Sequence, residues 1–523
     1  MRYLFSIASL CVSFSLFAAE PLVIHEWGTF TSLQDEAGHT IGGLNIDEEQ
    51  LPDFIHDLSP IDTADYGELS AGLDRFSKGV AEGDPTVTMR LETPVVYVHL
   101  PPGQDSATFD LSVAFRGGFL SQFYPMAQPT VNDRPLRWHN QQYSNTLEGK
   151  TTTYNVREIQ VQNDTASQQP IWSRWNAPSL SSSTTSSLTW RGITVGGSES
   201  APETASPVWL APRKVDAANL TVGAEHERYL FYRGLGHFDA PLKTIRSVDG
   251  ATLTVTTRPD VPTSRWRPNY IPRLWFADLR ADGTAAFRTI SPMGLYRTHP
   301  DEAPVAAQTF SATFSSEDYS AERLRLLRQE LHADLVQSGL FADEAQALLT
   351  TWEASYFKAP GQRLFFLVPS AWIDHVLPLT ISTPAKVIRA MMGRIELISP
   401  TQRQSLTRIA NGPVSTRGWF DQFVKDHIGY QVDDTRYVER PGGSEIQMRL
   451  HEKGIFARLK VPVPADYQAY LALGRFRDAL LWETQSRTPS PELARFLRTY
   501  VVSGLQDWQK KLLPDEPATT KAP

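Results

Sequence analysis

The chain has 523 residues, 41% of them hydrophobic and 21% charged, with a formal net charge of −8 at neutral pH. Such a length implies roughly two to four domains and enough apolar surface to build cores without disulfide or metal staples. Lys and Arg are scattered over an acidic background, which argues against nucleic acid as a partner.

Residues 1–19, MRYLFSIASLCVSFSLFAA, read as an export signal. Arg2 supplies a minimal positive region, residues 3–17 an apolar one, and Ala18-Ala19 small residues for cleavage. Phe17 departs from the small residue expected at the −3 position. An uncleaved anchor is the rival reading, but the run is shorter than the roughly 20 residues a span needs. Cys11, the only cysteine, lies inside this leader after Leu10, where lipid attachment is not expected. The mature chain is therefore cysteine-free, which excludes disulfides, thiol catalysis and thiolate metal sites. Loss of Arg2 takes the charge from −8 to −9. No second apolar stretch reaches spanning length, so the expectation is a soluble periplasmic or secreted protein without a transmembrane segment.

From residue 22 to about 290, short strand-like runs alternate with turn residues. PLVIHEWGTFTSLQDEAGHTIGGL predicts a strand, a turn at residues 35–38 and a returning strand. Residues 44–86, rich in Asp, Glu, Gly and Pro, predict an irregular excursion with a short helix. TVTMRLETPVVYVHL and ATFDLSVAFRGGFL read as a second pair joined by PPGQDS, and Phe109, Leu111 and Val113 show the period-two pattern of a half-buried strand. Residues 178–206, rich in Ser and Thr, predict a surface loop or linker crossed by one strand over 188–195. TIRSVDGATLTVTT and LWFADLRADGTAAFRTI each place Asp-Gly between strand formers, a hairpin signal.

After about residue 315 the texture changes. Leu324, Leu327, Leu331 and Leu335 mark one face of an amphipathic helix that Gly339 is placed to end. A second helix carries Phe341, Ala345, Leu348, Leu349, Trp352 and Tyr356 on its apolar face. QRLFFLVP and AKVIRAMMGRIELI follow as strands around a short SAWIDHVL helix, and further helices begin at Pro400, near Asp466 and at Pro491. A hairpin is expected around ERPGGSEIQ. The predicted fold class is α+β: a β-rich, sandwich-like N-terminal half, then a mixed helical and stranded C-terminal half. The expected division is a leader (1–19), a β-rich region (20–312, with two lobes divided near 178–206), a helix-rich α+β region (313–411), a C-terminal α+β region (412–513) and a disordered tail (514–523).

The dipeptide His-Glu occurs three times, in HEWGTF, HERYLF and HEKGIF (residues 25–30, 226–231 and 451–456). A helical zinc-protease motif requires a second histidine four residues on. Thr29, Leu230 and Ile455 stand there instead. On a strand, neighbouring side chains face opposite ways, so His25 and Glu26 cannot hold one ion together. No metal is predicted, and no cofactor is implied. The expected arrangement puts His25, Trp27 and Thr29 on one face and Glu26, Gly28 and Phe30 on the other.

YLFYRGLGHFDAP (229–241) lacks the third glycine of a dinucleotide fingerprint and reads as a strand ending in a tight loop carrying Arg233, His237 and Asp239. These form either an anion clamp or a structural salt bridge. Glu92 sits in an apolar strand, as a buried acid–base residue or a structural acceptor. Arg389, Arg394 and Glu396 punctuate another apolar run, as a buried ion-pair network or an anion site. Trp172, Trp175, Trp266 and Tyr270 fall in aromatic clusters that suit sugar stacking or simple packing.

VIHEWGTFTS directly after a leader resembles the opening of a family of exported bacterial proteins with no established activity. LETPVVYV, YLFYRGLG, the block over 344–379 and GRIEL resemble further segments of that family, across most of the mature chain. Leu91 stands where the family is expected to carry Met, and Tyr229 where it carries Phe. The resemblance implies an exported, single-family protein and brings no mechanism with it.

Two functions remain open from sequence. One is an extracytoplasmic binding or scaffold protein for a polysaccharide or another cell-envelope component, with Trp172, Trp175, Trp266, Tyr270, Arg389 and Arg394 as ligand contacts. The other is a hydrolase working through His25, Glu26, Glu92, Arg233, His237 and Asp239. Convergence of His25, Glu92, Arg233 and His237 on one pocket would favour the enzyme.

Overall fold

LVIHEWGTFTSLQ forms one unbroken strand, Leu22–Gln34, at the middle of a nine-stranded sheet in the computed structural model of the protein. Residues 21–46, 51–59, 61–62, 76–147, 150–162, 179–258, 270–294, 307–414, 464–500 and 511–513 are described. The leader, Trp172, Trp175, Trp266, the third His-Glu pair, the hairpin expected near 440–448 and the tail lie outside them. Among the described residues, no helix is long and apolar enough to cross a membrane.

The first strand runs antiparallel to Met89–His99 and parallel to Ala385–Leu397. Beyond these lie Leu230–Gly236, Gly118–Tyr124 and His56–Asp57 on one side, and Gly361–Leu367, Leu274–Leu279 and Ala285–Ile290 on the other. The boundary expected at 312/313 thus runs through a single sheet, because strands from both sides of it pair within one hydrogen-bonded ladder.

Both faces of this sheet are covered, which explains why its middle strands read as apolar runs and not as alternating ones. On one face, Trp27, Tyr97 and Phe365 pack against Leu327, Leu331 and Leu348 of helices Ala321–Gln337 and Ala342–Thr351. Ser320 caps the first of these helices, accepting a hydrogen bond from the Arg323 N–H. On the other face, Ile24, Val96 and Val98 share a core with Val113, Leu188 and Trp190 of a second nine-stranded sheet. The protein is an α+β fold, and the His25/Trp27/Thr29 against Glu26/Phe30 division of faces follows from it: Trp27 belongs to the helix-side cluster and Phe30 to the inter-sheet one.

Several expectations need correction. Met89–His99 and Ala107–Arg116 are not partners; the first lies in the central sheet, while the second pairs with Thr185–Val195. The alternation of buried Phe109, Leu111, Val113 and Phe115 with more exposed neighbours marks a half-solvated strand, unlike the fully buried one before PPGQDS. The strand expected over 188–195 is present as Thr185–Val195, but it pairs with three neighbouring strands in the second sheet and so does not merely cross a linker. The return after residue 38 is a single bridge, Gln34 to Thr40. Only short strands, and no helix, occupy the described residues of 44–86. Finally, the strand at Leu230 continues through both glycines to Gly236. A Cβ on Gly234 would meet the Phe119 carbonyl oxygen at 2.2 Å, so the glycine serves close strand pairing and not a loop.

Candidate functional site

The two residues of the first His-Glu pair enter different environments. His25 and His99 project from neighbouring strands on the helix side, in a register where Val23 faces His99 and His25 faces Tyr97. That diagonal relation brings the imidazoles to a centroid separation of 5.0 Å. Glu344, in the first turn of helix Ala342–Thr351, reaches between them. Its Oε2 lies 2.7 Å from His25 Nδ1 and its Oε1 lies 2.9 Å from His99 Nε2. The Phe341 N–H donates to Oε2 at 2.7 Å. Burial works to raise the Glu344 pKa, but both imidazoles and this N–H outweigh it and hold the carboxyl below its ordinary value. An ionised carboxylate only accepts, so Nδ1 of His25 and Nε2 of His99 each carry the shared proton. The Phe341 ring packs against both imidazoles, tilted to His25 and edge-on to His99, at 4.7 and 4.8 Å between centroids, and is itself about half exposed. His25 and Glu344 are buried, whereas His99 keeps 13% of its side chain accessible. The three ligand-type atoms lie within 4.8 Å of one another.

Glu26 faces the other layer. Its Oε1 accepts a hydrogen bond from the Tyr232 hydroxyl, and its Oε2 lies 2.5 Å from Arg389 Nε. Burial, then the Glu26 charge, pushes the Tyr232 phenol well up, keeping it a neutral donor. Burial disfavours charge on Arg389, but Glu26 and Tyr232 reverse that and hold the guanidinium firmly protonated. Its Nη1 lies 3.3 Å from Asp374 Oδ1, while Nη2 has no hydrogen-bond partner among the described residues. Arg389 lines a cavity of about 310 Å³ together with Ser370, Asp374, Pro378, Leu379 and Val387. Helix Ser370–Val376 places Ser370 and Asp374 one turn apart, on the same face.

Glu92 is buried among cations. Arg90 Nε, Arg475 Nη2 and Arg394 Nη2 lie at 2.9, 2.8 and 3.3 Å, and the Thr31 hydroxyl donates at 2.8 Å. Arg394 also meets Glu396 at 3.3 Å and Ser355 at 2.9 Å, and stacks over Tyr356. Tyr356 in turn shares a hydrogen bond with Thr29. This network joins five sequence-distant segments, around residues 29–31, 90–92, 355–356, 394–396 and 475, by ion pairs and hydrogen bonds.

The remaining candidates lie elsewhere. Arg233 is buried and donates to Gln122. His237 Nδ1 donates to the Thr86 carbonyl at 2.7 Å. Asp239 takes the Thr40 hydroxyl and an ion pair with Arg258 at 3.0 Å. Tyr270 is exposed on a two-stranded ribbon, Tyr270–Ile271 with Met293–Gly294. His25, Glu92, Arg233 and His237 therefore enter four separate sets of contacts. In the second His-Glu pair, Glu227 is buried and held by Arg213 at 2.6 Å and Trp209 at 2.7 Å, while His226 meets Thr221 across a hairpin.

His99, Glu344, Tyr232, Ser370 and Asp374 carry no local signal of a site in the sequence, and Phe341 reads there only as part of a helix's apolar face. Glu344 resembles any acidic residue in a first helical turn, and His99 any polar residue ending a strand. Only the strand register and the helix docking bring them beside His25. No model of a known protein family matches the chain, and no curated protein matches it significantly in sequence.

Proposed function

We propose that the protein is exported, loses its leader after Ala19, and acts in the periplasm or cell envelope as a binding protein for a small, hydroxyl-bearing polar ligand such as a sugar unit. In this reading the protein belongs with the exported family that opens on HEWGTFT. The observation that carries the binding role is Arg389: a guanidinium fixed by Glu26 and paired with Asp374, on the wall of a cavity of about 310 Å³ that Asp374 also lines. That volume is at the small end of ligand pockets, which run from about 300 to 1,000 Å³. Arg389 and Ser370 offer donors, Asp374 offers an acceptor, and Pro378, Leu379 and Val387 give an apolar wall. Adjacent hydroxyls of a sugar, each both donor and acceptor, match that set.

A hydrolase through His25, Glu92, Arg233 and His237 has less support, because each of these groups is engaged with different neighbours and none lines the cavity with Arg389. The test is calorimetric titration of the mature protein with monosaccharides, disaccharides, polyols and amino acids. Saturable binding should disappear in Leu379→Trp, which fills the cavity, and weaken in Asp374→Ala, with unfolding temperatures unchanged. No binding across the panel, or binding indifferent to both substitutions, would remove the proposal.

A further inference from the structure

The carboxylate-bridged histidine pair has a composition that packing does not demand. Two imidazoles and a carboxylate, from two strands and a helix, turn their ligand-type atoms onto one point, with all three atoms within 4.8 Å. We infer that His25 Nδ1, His99 Nε2 and a Glu344 carboxylate oxygen form a binding site for one divalent transition-metal ion, zinc-like in its preference for nitrogen and oxygen ligands.

The chemistry is a His₂-carboxylate set. Zinc takes imidazole nitrogen at about 2.0–2.1 Å and carboxylate oxygen at about 2.0–2.2 Å, in tetrahedral geometry. Ligand atoms on such an ion stand roughly 3.4 Å apart. The two N···O pairs, at 2.7 and 2.9 Å, open by about half an ångström, while the widest separation, at most 4.8 Å, closes by no more than about 1.4 Å to reach the ligand spacing of such an ion. On loading, the ion takes the place now held by two N–H protons. Each imidazole presents that nitrogen's lone pair, with its proton carried by the other ring nitrogen. Two imidazoles and one carboxylate leave a fourth position open, on the side where His99 is accessible.

The surroundings fit an ion site. The Phe341 N–H on Glu344 Oε2 fixes the carboxylate, as supporting hydrogen bonds do around metal ligands. The Phe341 ring packs against both imidazoles, tilted to His25 and edge-on to His99, on the rim of the site. The opposing view is a purely structural His–Glu–His hydrogen-bond triad. In that case the three groups stabilise the helix-to-sheet contact and have no affinity for metal.

The full mature protein, stripped with chelator and passed into metal-free buffer, is titrated with Zn²⁺ by calorimetry and with Co²⁺ by visible absorption. We expect one equivalent of Zn²⁺ and the intense visible bands of four-coordinate Co²⁺. His99→Gln, at the most accessible of the three ligands, should weaken Zn²⁺ binding at least tenfold, and Glu344→Gln likewise, with circular dichroism checking that both stay folded. Phe341→Ala keeps all three ligands, so it should retain the stoichiometry but surrender the ion to chelator faster. Absence of stoichiometric Zn²⁺ binding and of Co²⁺ bands in the unsubstituted protein would overturn the inference, whatever the variants do. So would a folded His99→Gln that binds as tightly as the parent.

Discussion

Glu26 and Arg389 stand opposite each other in the parallel register of the first strand and Ala385–Leu397, and their side chains meet at 2.5 Å. Both are buried, and Tyr232 donates to the second carboxylate oxygen. Inside a sheet, attraction between two such charges is set against the cost of desolvating both. Removing one partner leaves a bare buried charge, at a cost of about 3–5 kcal/mol. Arg389→Met and Glu26→Gln should each destabilise on that scale, and the double substitution should cost well below their sum. Urea unfolding of all four proteins in a double-mutant cycle reads the coupling directly. A coupling near zero would mean that the two side chains are stabilised independently.

Glu92 predicts an acid-sensitive core. Burial raises its pKa, but Arg475, Arg90, the Thr31 hydroxyl and Lys78 outweigh burial and hold the carboxyl below the ordinary 4.5. A depressed folded-state value means that the unfolded chain binds this proton more readily. The contribution to stability is therefore complete above 4.5 and is lost as pH falls through the lower folded value. Asp35 and Glu36, held down against burial by Arg487 and Arg403, add effects of the same sign. Unfolding free energies measured from pH 7 to pH 3 should drop below about pH 4.5, where carboxylates of the unfolded chain take up protons. Glu92→Gln should be less stable at pH 7 and show a shallower acid limb. An unchanged acid slope would assign the sensitivity to other carboxylates.

Gly234 tests the reading of YRGLG as sheet and not loop. A methyl group there would sit 2.2 Å from the Phe119 carbonyl oxygen, on backbone that cannot swing aside. Gly234→Ala should cost about 1–3 kcal/mol, the usual penalty for overfilling a packed interior. At Gly223, with φ of +61° and no heavy atom within 4 Å of an added Cβ, a side chain would be strained by the backbone conformation alone. Gly223→Asn should cost less, because asparagine tolerates that conformation. Thermal unfolding of the two variants side by side separates crowding from backbone preference.

These residues also show what was legible beforehand. Period and punctuation locate the leucine helix at 321–337, the two Asp-Gly hairpins and the strand at 385–397, because those signals are local. The opposite orientation of His25 and Glu26 follows from strand geometry alone. What Glu26 meets does not, since Arg389 lies 363 residues away. His25 likewise depends on Glu344, 319 residues on, and its significance is invisible until helix Ala342–Thr351 docks. Pairing of Met89–His99 with Ala107–Arg116 failed for a related reason. A short connection favours a hairpin, but one strand is apolar on both faces and the other on only one, which places them in different layers.

That dependence on distant segments makes a prediction about folding units. The parallel partner of the first strand is Ala385–Leu397, and the helix-side face of the central sheet is closed by Leu327, Leu331, Leu348 and Trp352. A chain ending at residue 312 would expose the edge of Leu22–Gln34 along thirteen residues, together with Trp27, Tyr97 and Phe231. An unpaired apolar edge of that length is a template for association between chains. The 20–312 chain should therefore fail to give a cooperative thermal transition and should aggregate on size-exclusion chromatography. Co-expression with residues 313–523 should restore a soluble complex. A monomeric, cooperatively melting 20–312 chain would show instead that the β-rich half closes its own sheet.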